Sequence, residues 1–233
     1  DLMNIAKARW NPPRTTRYYW HDDFDAFART HLQSAPGRVY LSIMSQPHVL
    51  SAVSTNEFMA SPAVHGRSEL VRGKVRALIP AGGNHALVTG NIARLLSTYV
   101  KKKQLGRCFE GNTQFELPNL PSTVRAPDTS FVRADRLPLG GSGGGWLSLS
   151  PDLAVEVLSP GVSAAELEEK LADYHAAGTP LVWVINPERR RVSVISATSP
   201  VTWLEEADML DGADVVPGFR CQVSAVFEGV TAT

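Results

Sequence analysis

Pro151-Asp-Leu-Ala-Val-Glu-Val-Leu-Ser-Pro160 is a short apolar run between prolines that carries one acid, Glu156, at its middle. A run of this length and composition reads as a buried strand. An ionised carboxylate buried without a partner costs so much that such groups neutralise, pair or hold a metal. Upstream, Arg125-Ala-Pro-Asp-Thr-Ser-Phe-Val132 sets Asp128 after a proline and before a second β-like run. Two acids at strand positions suit a hard cation. Downstream, Ser163 with Glu166 three residues on opens a helix that Gly178 closes. Lys170 lies about two turns into that helix, where its ammonium could serve the same site. Tyr174, four residues on, shares its helical face. Asp, Glu and Lys together read as metal-assisted hydrolysis.

Outward from this core, Leu181–Ile185 is an all-apolar strand, so residues 152–185 form a strand-helix-strand unit, expected as a parallel pair with a right-handed crossover. Asn186-Pro-Glu-Arg189 is a turn, and Arg191–Ser196 alternates as a strand returning beside it. Further short strands are broken by Asp211-Gly212 and Pro217-Gly-Phe219. On the other side, Ser54-Thr-Asn-Glu57 is a capping box for a short helix, and Ser68–Ile79 alternates around Arg72-Gly73 as a hairpin does. Ile92, Leu95, Leu96 and Tyr99 recur at helical spacing, predicting a helix capped by Asn84 that runs to about Gln104. Arg107–Leu117 and Thr129–Arg133 read as strands, and Leu139-Gly-Gly-Ser-Gly-Gly-Gly-Trp146 as a flexible loop. The order is mixed α/β with no internal repeat.

The chain has 233 residues, with 23 basic against 23 acidic side chains. That balance gives no long-range pull on a polyanion, so nucleic-acid binding would need a local basic patch. No apolar run approaches the roughly 20 residues that span a bilayer. Cys108 and Cys221 are far apart and imply neither a zinc site nor a disulfide framework. A reducing, cytoplasmic setting is the expectation. Residues 1–50, with a short helix expected around Asp22–Leu32, read as an N-terminal extension to a domain over 51–233. They are either a genuine arm or sequence upstream of a start at Met44.

From about Ser54 to Phe227 the chain resembles the Uma-type "putative restriction endonuclease" family, long catalogued as a domain of unknown function. The resemblance rests on Glu69-Leu-Val-Arg-Gly-Lys-Val75, His85, Ala126-Pro-Asp128 and Pro151 to Pro160. It is completed by Lys170-Leu-Ala-Asp-Tyr-His-Ala-Ala-Gly178, Val182-Trp-Val-Ile-Asn-Pro187 and Pro217-Gly-Phe219. The family falls in the PD-(D/E)xK nuclease superfamily. The resemblance therefore implies a restriction-endonuclease-like core, a central mixed β-sheet flanked by helices, and Mg²⁺-dependent hydrolysis of phosphodiesters, with Mn²⁺ as a substitute. It implies Asp128 and Glu156 as catalytic metal-binding acids, Lys170 as a migrated catalytic lysine and Glu69 as an additional acid. The superfamily lysine would stand two residues after the glutamate, where this chain has Leu158.

The backbone carbonyl of Val157 is expected as a further metal ligand, and His85 and Tyr174 as substrate contacts. Each residue also has a purely structural reading. Glu156 and Lys170 could form a salt bridge alone, and Asp128 could cap a turn. Glu69 could be an exposed hairpin acid, His85 a helix cap and Tyr174 a core residue. Lys101-Lys-Lys103 and Arg189-Arg-Arg191 could meet a phosphate backbone, although cations also stabilise a helix C-terminus. The leading expectation is a DNA endonuclease. The alternatives are a catalytically idle nuclease fold acting as a binding or scaffold module, and a nuclease acting on RNA. Trp183, Trp203 and Phe219 leave room for a homodimer interface, which would suit the two cuts of duplex cleavage.

Overall fold

The computed structural model describes residues 52–60, 68–78, 82–111, 113–138 and 146–231, all within the unit Leu50–Thr233. In chain order the elements are α1 (Thr55–Ala60), β1 (Ser68–Val71), β2 (Lys74–Ala77), α2 (Gly83–Lys103), β3 (Gly106–Glu110), β4 (Phe115–Glu116), β5 (Val124–Arg125) and β6 (Thr129–Arg133). They continue with β7 (Leu153–Val157), α3 (Ala164–Ala176), β8 (Leu181–Asn186), β9 (Arg191–Ser196), β10 (Thr202–Leu204), β11 (Met209–Asp211), β12 (Arg220–Gln222) and α4 (Val223–Val226).

The quoted apolar run forms β7, and all five of its residues are buried because both faces of the strand are covered. It lies inside a six-stranded sheet of order β10-β9-β8-β7-β6-β3. The β7–β8 pair is parallel, and the other pairs are antiparallel, so the sheet is mixed. Side chains alternate across a strand. Leu153, Val155 and Val157 of β7, with Leu181, Trp183 and Ile185 of β8, join one apolar layer with Val88, Ile92, Leu96 and Val100 of α2. Ala154, Val182 and Val184 pack on the opposite side with Tyr174 and Leu171 of α3. Glu156 falls in that second register, toward α3. A second, four-stranded sheet of order β2-β1-β5-β4 supplies Glu69 and Arg125.

Capping at α3 follows the sequence signal. The Ser163 hydroxyl accepts from the Glu166 N–H, the Ser163 N–H donates to the Glu166 carboxylate, and Gly178 has φ +84° beyond the last turn. Three expectations need correction. Gly82, not Asn84, is the N-cap of α2; Asn84 sits inside the first turn and donates to the Thr231 carbonyl. The expected strand Arg107–Leu117 is two strands, because β3 pairs with β6 while β4 pairs with β5 in the other sheet. Trp183 and Phe219 are buried against each other, ring centroids 5.8 Å apart, and so cannot form a dimer surface; Trp203 is exposed. The helix expected near Asp22–Leu32 and the glycine loop at 140–145 lie outside the described residues.

The hairpin turn is Arg72-Gly73, both left-handed at φ 49° and 78°. Two-residue hairpin turns require this geometry, for which glycine is the least strained residue. A Cβ at Gly73 would also stand 2.5 Å from that of Ala52.

Candidate active site

Two neighbouring rows on α3 meet the two sheets. Lys170 and Tyr174, one turn apart, face Glu156 of β7. The Lys170 Nζ donates to Oε2 at 2.8 Å, and the Tyr174 hydroxyl donates to Oε1 at 2.7 Å. Lys170 also meets Glu69 Oε1 of β1 at 3.0 Å and the Ala126 carbonyl at 3.4 Å. The three ammonium hydrogens thus have three acceptors. Glu169 and Asp173 form the second row and face the β1–β2 hairpin. Asp173 takes Arg72 at 2.5 Å, and Glu169 takes Arg72 at 2.8 Å and also Arg76.

Between these rows lies Arg125 of β5, 2% exposed. Its Nη1 donates to Glu69 Oε2 at 2.7 Å, while Nε and Nη2 donate to Asp173 Oδ2 at 3.0 and 2.5 Å. The adjoining Ala126 N–H donates to Glu69 Oε1 at 2.9 Å. Asp128 follows directly, at the mouth of β6. Its Oδ2 accepts from the Val157 N–H at 2.8 Å and lies 3.3 Å from Nε2 of His85, in the first turn of α2. His85 is braced from below by Thr89, 3.4 Å from Nδ1.

Burial pushes the Glu156 carboxyl up to about 7; Lys170 pulls it down, but Asp128 and Glu69 add to the rise. Burial also raises Asp128, yet His85, the Val157 N–H and Lys170 outweigh it and hold that carboxyl below its ordinary value. Glu69 is likewise held low against burial, by Lys170, Arg125 and the Ala126 N–H. Lys170 is raised: burial opposes its charge, and Glu156 and Glu69 overcome that. It is therefore a fixed cation and donor rather than a proton acceptor at neutral pH. Tyr174 is raised too, chiefly by burial, and stays a neutral phenol.

The donor chemistry fits a hard divalent cation. Two buried carboxylates, Glu69 and Glu156, contact one ammonium, Asp128 stands close enough to feel its charge, and Asp128 and Glu69 raise the proton affinity of Glu156. Carboxylate oxygens are the ligands Mg²⁺ favours. Among the described residues no three His, Cys, Asp or Glu side chains group closely enough to hold an ion by themselves. The pair that would hold such an ion is Asp128, just before β6, and Glu156 on the neighbouring β7.

All five acid, lysine and histidine candidates, with Tyr174, converge here. Of the two basic clusters, the first stands well away from the site, and two arginines of the second have acid partners of their own. Lys101–Lys103 occupy the last turn of α2, about 25 Å along the helix from His85. Arg190 and Arg191 are held by Glu206 and Glu205. Sequence reasoning passed over Arg125 and Asp173, although a charge in an apolar run had already singled out Glu156. The same signal stood in Val124-Arg-Ala-Pro127, and Asp173 is three residues past Lys170.

A family model described as "Putative restriction endonuclease", Uma2, matches residues 55–224. The chain belongs to the Uma2 family. No curated protein matches it. Among solved structures the Uma2-type fold recurs in a crystal structure titled a putative nuclease belonging to DUF820 from Anabaena variabilis. The two are 19% identical with a TM-score of 0.65, over 75% of this chain and 97% of that one. A match at that identity speaks for the fold: a central mixed sheet with flanking helices, shared by this Uma2 member and a nuclease-like structure.

Proposed function

We propose that this chain is a metal-dependent endonuclease hydrolysing DNA phosphodiester bonds, with residues 51–233 as the working domain. The observation that carries the reading is the contact of Lys170 with both Glu156 and Glu69, beside Asp128. A lysine from α3 thereby takes up the role that Leu158 cannot fill.

In this reading Asp128 and Glu156 would hold Mg²⁺, or Mn²⁺ in its place, with the Val157 carbonyl and water as further ligands. The bound cation supplies charge that offsets the phosphate and makes a nearby water more acidic. Lys170, protonated throughout, donates toward charge developing on the phosphate. Its contact with the Ala126 carbonyl is the longest of its three, and is the one a phosphate oxygen can replace. Tyr174 keeps Glu156 aimed, and His85 does the same for Asp128. A homodimer would supply the two cuts of duplex cleavage.

The test is nicking of supercoiled plasmid in Mg²⁺ and in Mn²⁺, with Glu156→Ala purified in parallel. Scission by the native chain alone supports the reading, and an active Glu156→Ala removes Glu156 from it. One observation favours a second reading, an idle nuclease fold that binds without cutting: both Glu156 oxygens are already engaged, by Lys170 and Tyr174. Calorimetric titration with Mn²⁺ separates the two, because the idle module shows no binding that Asp128→Ala removes.

A further inference from the structure

We propose that Arg125 is a positioning residue that acts on Lys170 through Glu69. The inference rests on the nuclease reading for its consequence, but not for its geometry. Arg125 is almost wholly buried and donates to Glu69 on one side and Asp173 on the other. Such a forked guanidinium fixes both carboxylates in direction as well as charge.

Glu69 is gripped at both oxygens. Oε2 takes Arg125, while Oε1 takes the Ala126 N–H and Lys170. Lys170 is consequently divided between Glu69 and Glu156. With Arg125 absent, Lys170 is the one side-chain cation among the described residues that Glu69 meets, and the ammonium is drawn from Glu156 toward Glu69. Segment Arg125-Ala-Pro-Asp128 ties these groups together within four residues. It supplies the guanidinium, the amide on Glu69, the carbonyl on Lys170, and Asp128 itself. The second acceptor is Asp173 on α3, one turn beyond Glu169; Arg72 holds that carboxylate as well, so the contact that depends on Arg125 alone is the one to Glu69 Oε2.

A residue that acts through Glu69 should lose its effect once Glu69 is neutral, whereas a merely structural residue adds its loss to any other. Arg125→Lys keeps the cation but not the fork. Its expected effect is a fall in kcat of about 10-fold to 100-fold on plasmid, with KM changed by less than about threefold, as for groups that orient a ligand from behind. Glu69→Gln with Arg125→Lys should match Glu69→Gln alone. The same cycle is read on the ¹³Cε and ¹⁵Nζ signals of Lys170 in metal-free protein. These should move in Arg125→Lys and move no further in the double variant. Arg125→Met, where thermal melting shows it folded, should displace them further than Arg125→Lys.

The proposal is overturned if Arg125→Lys leaves the Lys170 signals at their native positions, or if the double variant shows the product of the single losses. If the native chain does not cut DNA, the nuclease reading fails, and the Lys170 signals still decide the positioning role.

Discussion

The two faces of β7 are made from one five-residue strand, yet they do opposite work. Toward α2, Leu153, Val155 and Val157 enter a dry layer with Ile92, Leu96 and Trp183. Toward α3, Ala154 leaves room, and Glu156 reaches Lys170 and Tyr174. The first face gains free energy by removing apolar area from water. The second holds a carboxylate in an environment that disfavours its charge, and a buried ion network of this kind adds little net stability over apolar packing. The lesson is that stability and chemistry are separable here by the parity of a residue's position.

That separation can be broken experimentally. The largest effect should come from Glu156→Ala, which is expected to lower plasmid nicking by at least about 10³-fold, the several kcal/mol that a charge-offsetting site supplies. Its circular-dichroism melt should stay cooperative. On the dry face, Ile92→Ala should cost about 3 kcal/mol in urea unfolding, from lost transfer and a residual cavity. Nicking per folded molecule should be unchanged.

The faces should also differ in pH response. The Glu156 carboxyl, raised from 4.5 to about 7, binds a proton in the native state that the unfolded chain has released. Its stabilising contribution is therefore complete below about pH 4.5 and is lost as pH rises through about 7. Glu69 and Asp128, held low, act in the opposite sense: their contribution exists above their unfolded values and disappears on acidification. In EDTA, Glu156→Gln should consequently gain stability relative to the native protein between pH 5 and 8, on the order of 2 kcal/mol. Melting temperatures across that range check it, and a constant difference would refute the assignment. The smallest effect should be Arg76→Ala at the rim of the wet face. This half-exposed ion pair with Glu169 is worth below about 1 kcal/mol in a denaturant titration.

The parts that were legible in the sequence share a cause. β7, α3 and β8 are local patterns whose period, caps and terminating glycine agree, and the misplaced charge at Glu156 is visible without any partner. Lys170 was legible because the helix capped at Ser163, directly after the acid-bearing strand, presents it about two turns in. What escaped was set by distant pairing. Arg125 meets Asp173 across 48 residues and Glu69 across 56, and no periodicity tells which layer a charge enters. Likewise β3 and β4 look continuous in sequence, because only their partners β6 and β5 assign them to different sheets. The cap of α2 was misread because Asn84 serves the Thr231 carbonyl instead of its own helix.

The site draws Glu69, His85, Glu156 and Lys170 from four separate elements, and Asp128 from the segment before β6, spread between residues 69 and 170. A chain emerging from the ribosome therefore carries no complete set until α3 is made, and the parallel β7–β8 pair that holds α3 in place needs β8 as well. Non-local closures of this kind form late in folding. Under the proposed nuclease reading, nascent or truncated copies would lack a complete site, and cutting capacity would arrive only with the finished domain.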